Sequence, residues 1–491
     1  MVFATSSAQT SQRRIRLTLT SVILGLALGA ALFAAGARQA SAQDTRVVTE
    51  PVIPATCVRL DAKLIAVGET LAETDESHPD SARIQAAIDS FAAKCKPGQA
   101  VELAPNKAGA NAFLSGTLEL RAGVTLLVDK GVTLFASRRA SDFDTVPGSG
   151  ACGTLGVKGR CHSFLTIRAK HTAIMGDGVI DGRGGARLLD KGYSWWALAV
   201  KAEPGNLPYS DPRLIDAADA DGLILYRITL HNSPNFHVGV SQTNGFTVWG
   251  VHLKTPTVEH GANDPRPRNT DGIDPGSSSN ITIAHSWIDN GDDNIAIKSG
   301  VTHISVLDNH FYSGHGMSIG SGTETGDSFL LVDGLTEDHT TSGIRIKSNA
   351  TRGGPVHDLT YRNVCMSGVA IPIAISPYYN DGTTEPFTDP GIHGDRIPDY
   401  KSIHLERVYA ETPGDVLIAG YDDAHRTEIS LTNVVIRDIK PNQVHLAFAD
   451  INVIATTNID LKQGKSVKVT VSKDSDVFND FVQCGKHLPM Q

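Results

Sequence analysis

The sequence predicts an all-β, single-domain, right-handed parallel β-helix (a solenoid) with an N-terminal capping helix. Two observations carry this prediction. Short runs of alternating or β-branched residues, separated by Gly, Asn and Asp, recur from about residue 101 to 470 with a spacing close to 23 residues. The same stretch has no second strong helix pattern. Such a period is typical of solenoids, and a β-sandwich, the alternative, does not require the same phase in every rung.

Residues 1–42 are expected to be a signal peptide rather than part of the fold. A positive stretch at residues 13–16 precedes an apolar run at residues 21–35, and "ASA" at residues 40–42 resembles a cleavage site. A membrane anchor is the alternative, but the apolar run is short for a membrane span. We therefore expect an exported chain, either secreted or periplasmic.

Residues 43–100 are expected to form an N-terminal segment with the cap helix, before the β-helix of residues 101–491. The helix pattern runs from Asp80 to Cys95, where Asp80 or Ser81 can cap it. Four apolar residues then share one face of the helix. They are Ile84, Ala87, Ile88 and Phe91. Such a helix can cover the open end of an apolar solenoid.

The six cysteines all follow the predicted cleavage site, and an even number in an exported chain indicates disulfides. Cys152 and Cys161 are close enough to close one loop. One pairing of the remaining four joins Cys57 to Cys95 and Cys365 to Cys484. No Cys or His spacing resembles a zinc site. The formal net charge of -9 gives no indication of a nucleic-acid partner.

Two consecutive repeat units reveal the register of the solenoid. In residues 280–300 and 303–323, Ile281 aligns with Ile304, and the glycines of the two turns align as well. Equivalent positions on neighbouring rungs lie about 4.8 Å apart. The register therefore predicts which polar side chains meet on the outer surface.

The alignment brings several acidic residues together. Matching "NTDGI" (residues 269–273) with "DDNI" (residues 292–295) places Asp271 against Asp293. Because side chains alternate along a strand, Asp292 and Asp293 cannot both face outward from a flat strand. We therefore expect both of them at a bend between strand and turn, where both reach the surface.

A histidine joins this acidic patch. Matching Asn294 with Met317 places Asp292 against His315. Clustered carboxylates repel one another, so at least one of them should have a raised pKa. A protonated acid beside ionised bases is the division of labour that glycosidic hydrolysis requires.

Two structural alternatives apply to the same residues. Asn and Asp also line the turns of β-solenoids, where they bind backbone groups. The run "DNGDDN" faintly resembles a calcium loop, but Asn294 and Gly300 stand where such a loop needs Gly and Glu. No metal ligand is therefore expected here.

A pair of cations follows the acidic patch. In "SGIRIKS", Arg345 and Lys347 are two residues apart and so share one face of a strand. If Ile344 and Ile346 point into the core, both cations point outward. An acidic patch beside a carboxylate-binding pair suits a polymer of sugar acids.

The motifs "NTDGIDP", "GDDN", "GHG" and "RIK", in this order and spacing, resemble the polygalacturonases of glycoside hydrolase family 28. The resemblance extends over roughly residues 75–450. It implies a right-handed parallel β-helix that hydrolyses α-1,4 bonds between galacturonic acid units of pectin. It further implies inversion at the anomeric carbon, and neither a metal nor another cofactor.

The same resemblance implies roles for individual residues. Asp292 corresponds to the general acid, Asp271 and Asp293 to the pair that activates water, and His315 to a residue that controls the proton on Asp292. The substrate-binding residues it implies are Arg345, Lys347, Tyr379 and Asn269. Counting from "PIAI" favours Tyr379 over the adjacent Tyr378 as the tyrosine that faces the cleavage point.

Two loops bear on whether the cleft is open. They occupy residues 255–268, with Arg266 and Arg268, and residues 385–400. We expect a monomer, because solenoids of this kind are usually single units. We also expect the protein to act inside polygalacturonic acid chains, because no large extra domain or long blocking insertion is present. Alternatives are an end-trimming polygalacturonase, a hydrolase of rhamnogalacturonan or xylogalacturonan, a pectate lyase, and a non-catalytic polysaccharide-binding solenoid.

Overall fold

The structure, a computed structural model, describes residues 43–255, 266–380, 388–389 and 391–472. The predicted signal peptide lies outside these residues. Each strand of the solenoid pairs in parallel with the strand one rung away, so the predicted parallel β-helix is confirmed. Within the described ranges, no helix is long and apolar enough to cross a membrane.

The strands are numbered in chain order. Strands β1 to β17 are Thr56–Asp61, Ala100–Ala104, Ala112–Ser115, Leu118–Leu120, Thr125–Val128, Thr133–Ala136, Leu165–Ile167, Ala173–Met175, Val179–Asp181, Ile215–Ala218, Ile224–Tyr226, Thr229–His231, Val238–Ser241, Asn244–Trp249, His252–Lys254, Ile273–Gly276 and Ser279–Ala284. Strands β18 to β33 are Trp287–Asn290, Ile295–Ile297, Thr302–Leu307, His310–Ser313, Met317–Gly320, Asp327–Asp333, Thr336–Asp338, Ser342–Lys347, Pro355–Ser367, Ile371–Ser376, Asp399–Ala410, Val416–Ala419, Thr427–Ile436, Val444–Ala447, Ala449–Val453 and Lys468–Val471.

The strands stack into two hydrogen-bonded sheets. The larger sheet has 22 strands and contains two columns, which the long strand β26 joins by pairing with both β23 and β24. The other sheet, here called the third face, has 11 strands. In chain order, the third face consists of β4, β7, β10, β13, β16, β19, β22, β25, β27, β29 and β31.

The register confirms most of the predicted alignment and corrects one step. Ile281 pairs with Ile304, as predicted. On the third face, however, Met317 pairs with Ile295 rather than standing level with Asn294. The reason is that "GHG" supplies one residue fewer between its first glycine and the next strand than "GDDN" does. Only the residues after this turn are displaced.

The core is a stack of apolar side chains inside the coil. On the third face, inward residues of successive rungs lie on one another and are fully buried. They are Ile273, Ile295, Met317, Ile344 and Ile373. Burial of each such side chain contributes about 1.5–3 kcal/mol. This stack fixes the position of each third-face strand along the solenoid axis. It thereby also fixes the position of the turn that precedes each strand.

The predicted cap helix forms as two short helices, α1 (Ser81–Asp89) and α2 (Phe91–Lys94). The four residues predicted for its apolar face are buried. The predicted side-chain cap is wrong, because the Asp80 carboxylate makes no cap hydrogen bond and instead accepts one from Arg83 at 2.8 Å. The side chain of Gln85 attaches α1 to the first third-face strand by donating to the carbonyl oxygen of Glu119.

A third helix, α3 (Trp195–Ala202), was not predicted from the sequence. Its eight residues are almost all apolar, and the run is shorter than the window in which a helical period is usually recognised. Five of its residues are buried, and the Ser194 hydroxyl accepts a hydrogen bond from the Ala197 amide at its N-terminus. It lies in the long connection between β9 and β10.

Disulfides join Cys57 to Cys95 and Cys152 to Cys161, as predicted. Cys365 is also disulfide-bonded, and its predicted partner Cys484 lies outside the described residues. The second bridge joins two cysteines that are nine positions apart in the sequence, and it closes a short loop above the third face.

Residues 43–55, here called the N-terminal strap, cross the outside of the larger sheet. The Asp44 amide donates to Ser305 Oγ on β20, and Tyr226 on β11 donates to Glu50 at 2.7 Å. At its end, the carbonyl oxygen of Ala55 accepts a hydrogen bond from Ala100 on β2. The strap therefore ties the central rungs to the first ones.

Candidate active site

A cleft of about 1220 Å³ lies over the third face. The turns before β16, β19 and β22 carry the predicted acidic patch, and the register of these strands stacks the turns one above another. Asp292 and His315 line the cleft, while Asp271 and Asp293 are almost fully buried beneath it. The structure thus brings together all four residues predicted as catalytic.

The two glycines around His315 are required by space and backbone conformation. Gly314 and Gly316 have φ values of 72° and 80°, a region that side chains rarely adopt. A Cβ on Gly316 would lie 2.0 Å from the carbonyl oxygen of Ser342. This tight turn lets the His315 amide donate to the carbonyl oxygen of Asp292 at 2.9 Å.

The Asp292 carboxylate faces His315 directly. His315 Nδ1 lies 3.2 Å from Asp292 Oδ1, and the Asp293 amide donates to the same oxygen at 2.9 Å. Burial raises the pKa of Asp292, but the charge and hydrogen bond of His315 outweigh burial and bring the pKa to about 2. A pKa this low favours the ionised form of the Asp292 carboxylate.

Asp293 is held by three donors. Its Oδ1 accepts hydrogen bonds from Ser318 Oγ at 2.8 Å and Arg345 Nη1 at 2.9 Å. Its Oδ2 accepts from Lys347 Nζ at 2.7 Å. Burial works to raise the pKa of Asp293, yet Lys347 and Arg345 hold it well below its usual range. Asp293 is thus a permanently charged anchor for both cations.

Ile344 and Ile346 point into the core, so Arg345 and Lys347 point outward, as predicted. They are nonetheless buried, because they turn toward Asp293. Burial lowers the pKa of Lys347, and the neighbouring Arg345 lowers it further.

Of the two candidate tyrosines, Tyr379 lines the cleft. Its ring centroid lies 5.7 Å from Arg345 Cζ and 5.2 Å from Lys347 Nζ. Tyr378 instead packs in a buried cluster, where its hydroxyl donates to the carbonyl oxygen of Gly420 at 3.0 Å. The geometry therefore places only Tyr379 of this pair against the cations.

Asp271 differs from the other two acids. Its Oδ2 lies 3.5 Å from Lys298 Nζ, and burial raises its pKa well above the usual value, with Asp274 and Asp292 adding to the effect. Among the described residues, its Oδ1 has no hydrogen-bond partner. The raised pKa that the sequence predicted for the patch thus falls on Asp271 and not on Asp292, because His315 pairs with Asp292.

Asn269 lies beside the acid. Its side-chain amide donates to Asp292 Oδ2 at 3.4 Å, and its oxygen accepts a hydrogen bond from the Tyr209 hydroxyl at 3.0 Å. Because Tyr209 supplies the donor to the oxygen, the NH₂ group must face Asp292. Tyr209 was not predicted, and only its place in the cleft reveals it.

Two further polar residues escaped the sequence analysis. Lys298 Nζ lies 3.5 Å from Asp271 and 3.3 Å from Asp274, so it neutralises part of the buried negative charge. Both could have been found by alternation, because Asp274 follows inward Ile273 and Lys298 follows inward Ile297. Burial raises the pKa of Asp274 to about 6, although Lys298 opposes the rise.

Asp292, Asp293 and His315 offer ligand atoms within 4.8 Å of one another, a spacing compatible with a metal ion. Arg345 and Lys347 already bind the two oxygens of Asp293, however, and they would repel a cation. These contacts give no support to a metal at this position.

The two loops predicted to control the cleft are only partly visible. Residues 256–265 and most of residues 381–390 lie outside the described part of the chain. Arg266 forms an ion pair with Glu203, and Arg268 Nε lies 3.9 Å from the same carboxylate. Both arginines line the cleft, where Glu203 offsets part of their charge.

Comparison with known proteins supports this picture. Residues 99–443 match the model of the glycosyl hydrolases family 28. The chain is 40% identical over 420 residues to an endo-polygalacturonase of Pectobacterium carotovorum subsp. carotovorum, covering 84% of this chain and 94% of the relative. It is 36% identical over 464 residues to a polygalacturonase of Ralstonia nicotianae, covering 85% of each.

A solved structure gives the same result. The polygalacturonase from Erwinia carotovora ssp. carotovora superimposes with a TM-score of 0.69 and 38% sequence identity, covering 82% of this chain and all of that one. The family match extends from β2 to the region of β31 and includes every turn of the candidate site. The chain belongs to the glycosyl hydrolases family 28.

Proposed function

We propose that this protein is an endo-acting polygalacturonase, which hydrolyses α-1,4-glycosidic bonds within polygalacturonic acid by an inverting acid–base mechanism. One observation supports this most directly. An acid paired with a histidine (Asp292 with His315), a second acid with one oxygen that has no partner among the described residues (Asp271), and two cations lie together at the floor of the cleft. The relatives named above are an endo-polygalacturonase and polygalacturonases.

In this proposal Asp292 gives a proton to the glycosidic oxygen as the bond to the anomeric carbon breaks. Burial raises the pKa of Asp292, and His315, whose Nδ1 lies 3.2 Å away, lowers it. A polyanionic substrate brings negative charge next to Asp292 and so favours its protonated form.

Asp271 and Asp293 both act on the attacking water molecule, and each has a different role. Asp271, in the ionised form that Lys298 favours, has an oxygen without a hydrogen-bond partner among the described residues and accepts the proton of the attacking water. Water attacks the anomeric carbon from the face opposite the leaving oxygen, which inverts the configuration. Asp293, fixed by Ser318, Arg345 and Lys347, orients that water and holds the two cations in place.

Arg345 and Lys347 attract a galacturonate carboxylate beyond the scissile bond, and Tyr379 and Asn269 shape the cleft around it. The Tyr379 ring packs against both cations, and Asn269 contacts the acid. We also propose that the chain is an exported monomer, processed after residue 42. The disulfides are consistent with export.

The test is digestion of polygalacturonic acid in excess EDTA, with Asp292→Asn as the inactive control. Reducing ends, ultraviolet absorbance of unsaturated products, and viscosity are followed together. The proposal expects reducing ends without absorbance and an early fall in viscosity. Reducing ends at nearly constant viscosity would indicate an end-trimming enzyme, unsaturated products a lyase, and no products would reject polygalacturonate as the substrate.

A further inference from the structure

The cleft has a second basic flank, on the opposite side of the catalytic turns from Arg345 and Lys347. Arg213 and Lys158 both line the cleft there. Arg213 stands just before β10, two rungs before β16, and Arg345 lies on β25, three rungs after β16. Along the solenoid axis, the acidic turns therefore lie between two groups of cations.

The Arg213 side chain lies flat against the floor of the cleft. Its Nη1 donates to Asp216 at 2.8 Å, and its Cζ lies 4.9 Å from the centroid of the Phe236 ring. Beneath it is Gly239, where a Cβ would come within 2.9 Å of Nη1. The absence of a side chain at 239 thus provides the space for the guanidinium. The side chain remains 43% exposed.

The local charge balance favours an anion. Asp216 shares its charge between Arg213 and Arg168, so this group as a whole is positive. Burial raises the pKa of the neighbouring Asp211 to about 8, so its carboxyl carries no charge at lower pH. Lys158, on the loop closed by the Cys152–Cys161 disulfide, adds a further positive charge.

We infer that Arg213, with Lys158, forms a second carboxylate-binding subsite, which takes a galacturonate unit on the opposite side of the scissile bond from Arg345 and Lys347. A guanidinium has five N–H groups, and its bond to Asp216 leaves others for a carboxylate. This inference rests on the proposed function, because it assumes a galacturonate polymer in the cleft.

The geometry sets the substrate length that this subsite requires. The Arg213 guanidinium lies over Gly239 on β13. Arg345 and Lys347, by contrast, turn back to Asp293, whose turn precedes β19, two rungs from β13. At about 4.8 Å per rung, and with the added length of the hydrogen bonds to Asp293, the charged ends of the two groups are roughly 10–15 Å apart. Only a chain that extends on both sides of the scissile bond reaches both of them.

The test compares Arg213→Gln with the wild type on a length series of oligogalacturonides, from dimer to octamer, and on the polymer. We expect KM for the longest substrates to rise roughly tenfold, the size of one lost charge-assisted hydrogen bond. The kcat for these substrates and KM for the shortest cleaved oligomer should be unchanged. The salt dependence of KM for the polymer should weaken, because a charge contact has been removed.

Two further variants complete the experiment. Lys158→Gln should produce a smaller change of the same kind. Arg227→Gln serves as the matched control, because Arg227 is also an ion-paired, half-exposed arginine but lies in the turn between β11 and β12, beside Asp177. It should match the wild type on every length, and all melting temperatures should agree.

The possible failures are distinguishable. If the wild type hydrolyses no member of the series, the proposed function fails. If the wild type is active and Arg213→Gln has an unchanged KM for the polymer, the subsite is rejected. An equal rise in KM for every length would also reject it, because short substrates bound at Arg345 cannot reach Arg213.

Discussion

His315 and Asp292 stand on consecutive rungs and are joined twice. The imidazole Nδ1 lies 3.2 Å from Asp292 Oδ1, and the His315 amide donates to the carbonyl oxygen of Asp292 at 2.9 Å. The backbone hydrogen bond fixes the position of the His315 turn along the solenoid axis. The side-chain contact lowers the pKa of Asp292. The repeat thus places the His315 imidazole directly above the carboxylate whose pKa it lowers.

Asp292→Asn should fold normally and lose kcat by roughly 10²–10⁴-fold, the usual contribution of a general acid. The amide oxygen can still accept the hydrogen bond from the Asp293 amide, so the turn should persist. Circular dichroism and steady-state kinetics on polygalacturonate check this. The control is Asp438→Asn, because Asp438 is a highly exposed aspartate. Substantial activity in Asp292→Asn would move the acid to another residue.

His315→Ala should raise the pKa of Asp292, because the imidazole is the group that lowers it. The limb of the kcat/KM profile that reports Asp292 should therefore move to higher pH. A shift of one pH unit would correspond to about 1.4 kcal/mol of interaction between His315 and the Asp292 carboxylate. A pH profile identical to that of the wild type would contradict the tuning role.

Arg345→Ala should raise KM for polygalacturonate, because it removes one of the two cations that attract the substrate carboxylate. It should also lower the melting temperature, since Asp293 stays buried with one donor fewer. Arg437→Ala, at an exposed arginine, is the control for loss of a surface charge. An unchanged KM would mean that Arg345 serves Asp293 alone.

Lys298→Met should impair the base. Lys298 lowers the pKa of both Asp271 and Asp274, so its removal raises them further. Because the base must be ionised, the acidic limb of the kcat/KM profile should move to higher pH, and activity should partly recover in alkaline buffer. Lys468→Met, at an exposed lysine, should leave the profile unchanged. A uniform loss of activity at all pH values would argue for a purely structural role.

Glu337→Gln should stabilise the fold at neutral pH. Glu337 points into the core between Phe311 and Met366, and burial raises its pKa to about 8. Between its usual value near 4.3 and about 8, folding takes up a proton, so stability falls as pH rises, by at most about 1.4 kcal/mol per pH unit. The variant should raise the melting temperature at pH 7.5 and change it little at pH 4. Exposed Glu428→Gln is the control, and equal shifts at both pH values would refute the linkage.

The sequence allowed the fold to be predicted because inward Ile, Leu and Val recur at one phase, and a period-two alternation then decides which residues face outward. The prediction failed where that signal was absent. Helix α3 has only eight residues, with Lys201 as its one charged residue, and is too short for a helical period to be recognised. The turn before Met317 is one residue shorter than its neighbour, and an alignment on glycines could not detect the deletion.

The sequence predicted that four polar residues lie together, but not how they pair. Register brings Asp271, Asp292, Asp293 and His315 together, as the structure confirms. Nothing in the sequence indicated that the Arg345 side chain turns back to contact Asp293. Only small residues, Ala296 and Ser318, stand in the outward column before Arg345, and they leave the path open. Distances between side chains on different rungs depend on such gaps.

The N-terminal strap has a consequence for the order of folding. Asp44 binds Ser305, which is 261 residues further along the chain, and so the first described residues cannot find their place until the central rungs exist. Contacts of such long sequence separation form late, since the intervening chain must first be ordered. The strap can therefore dock only after the rungs from β11 to β20 have formed.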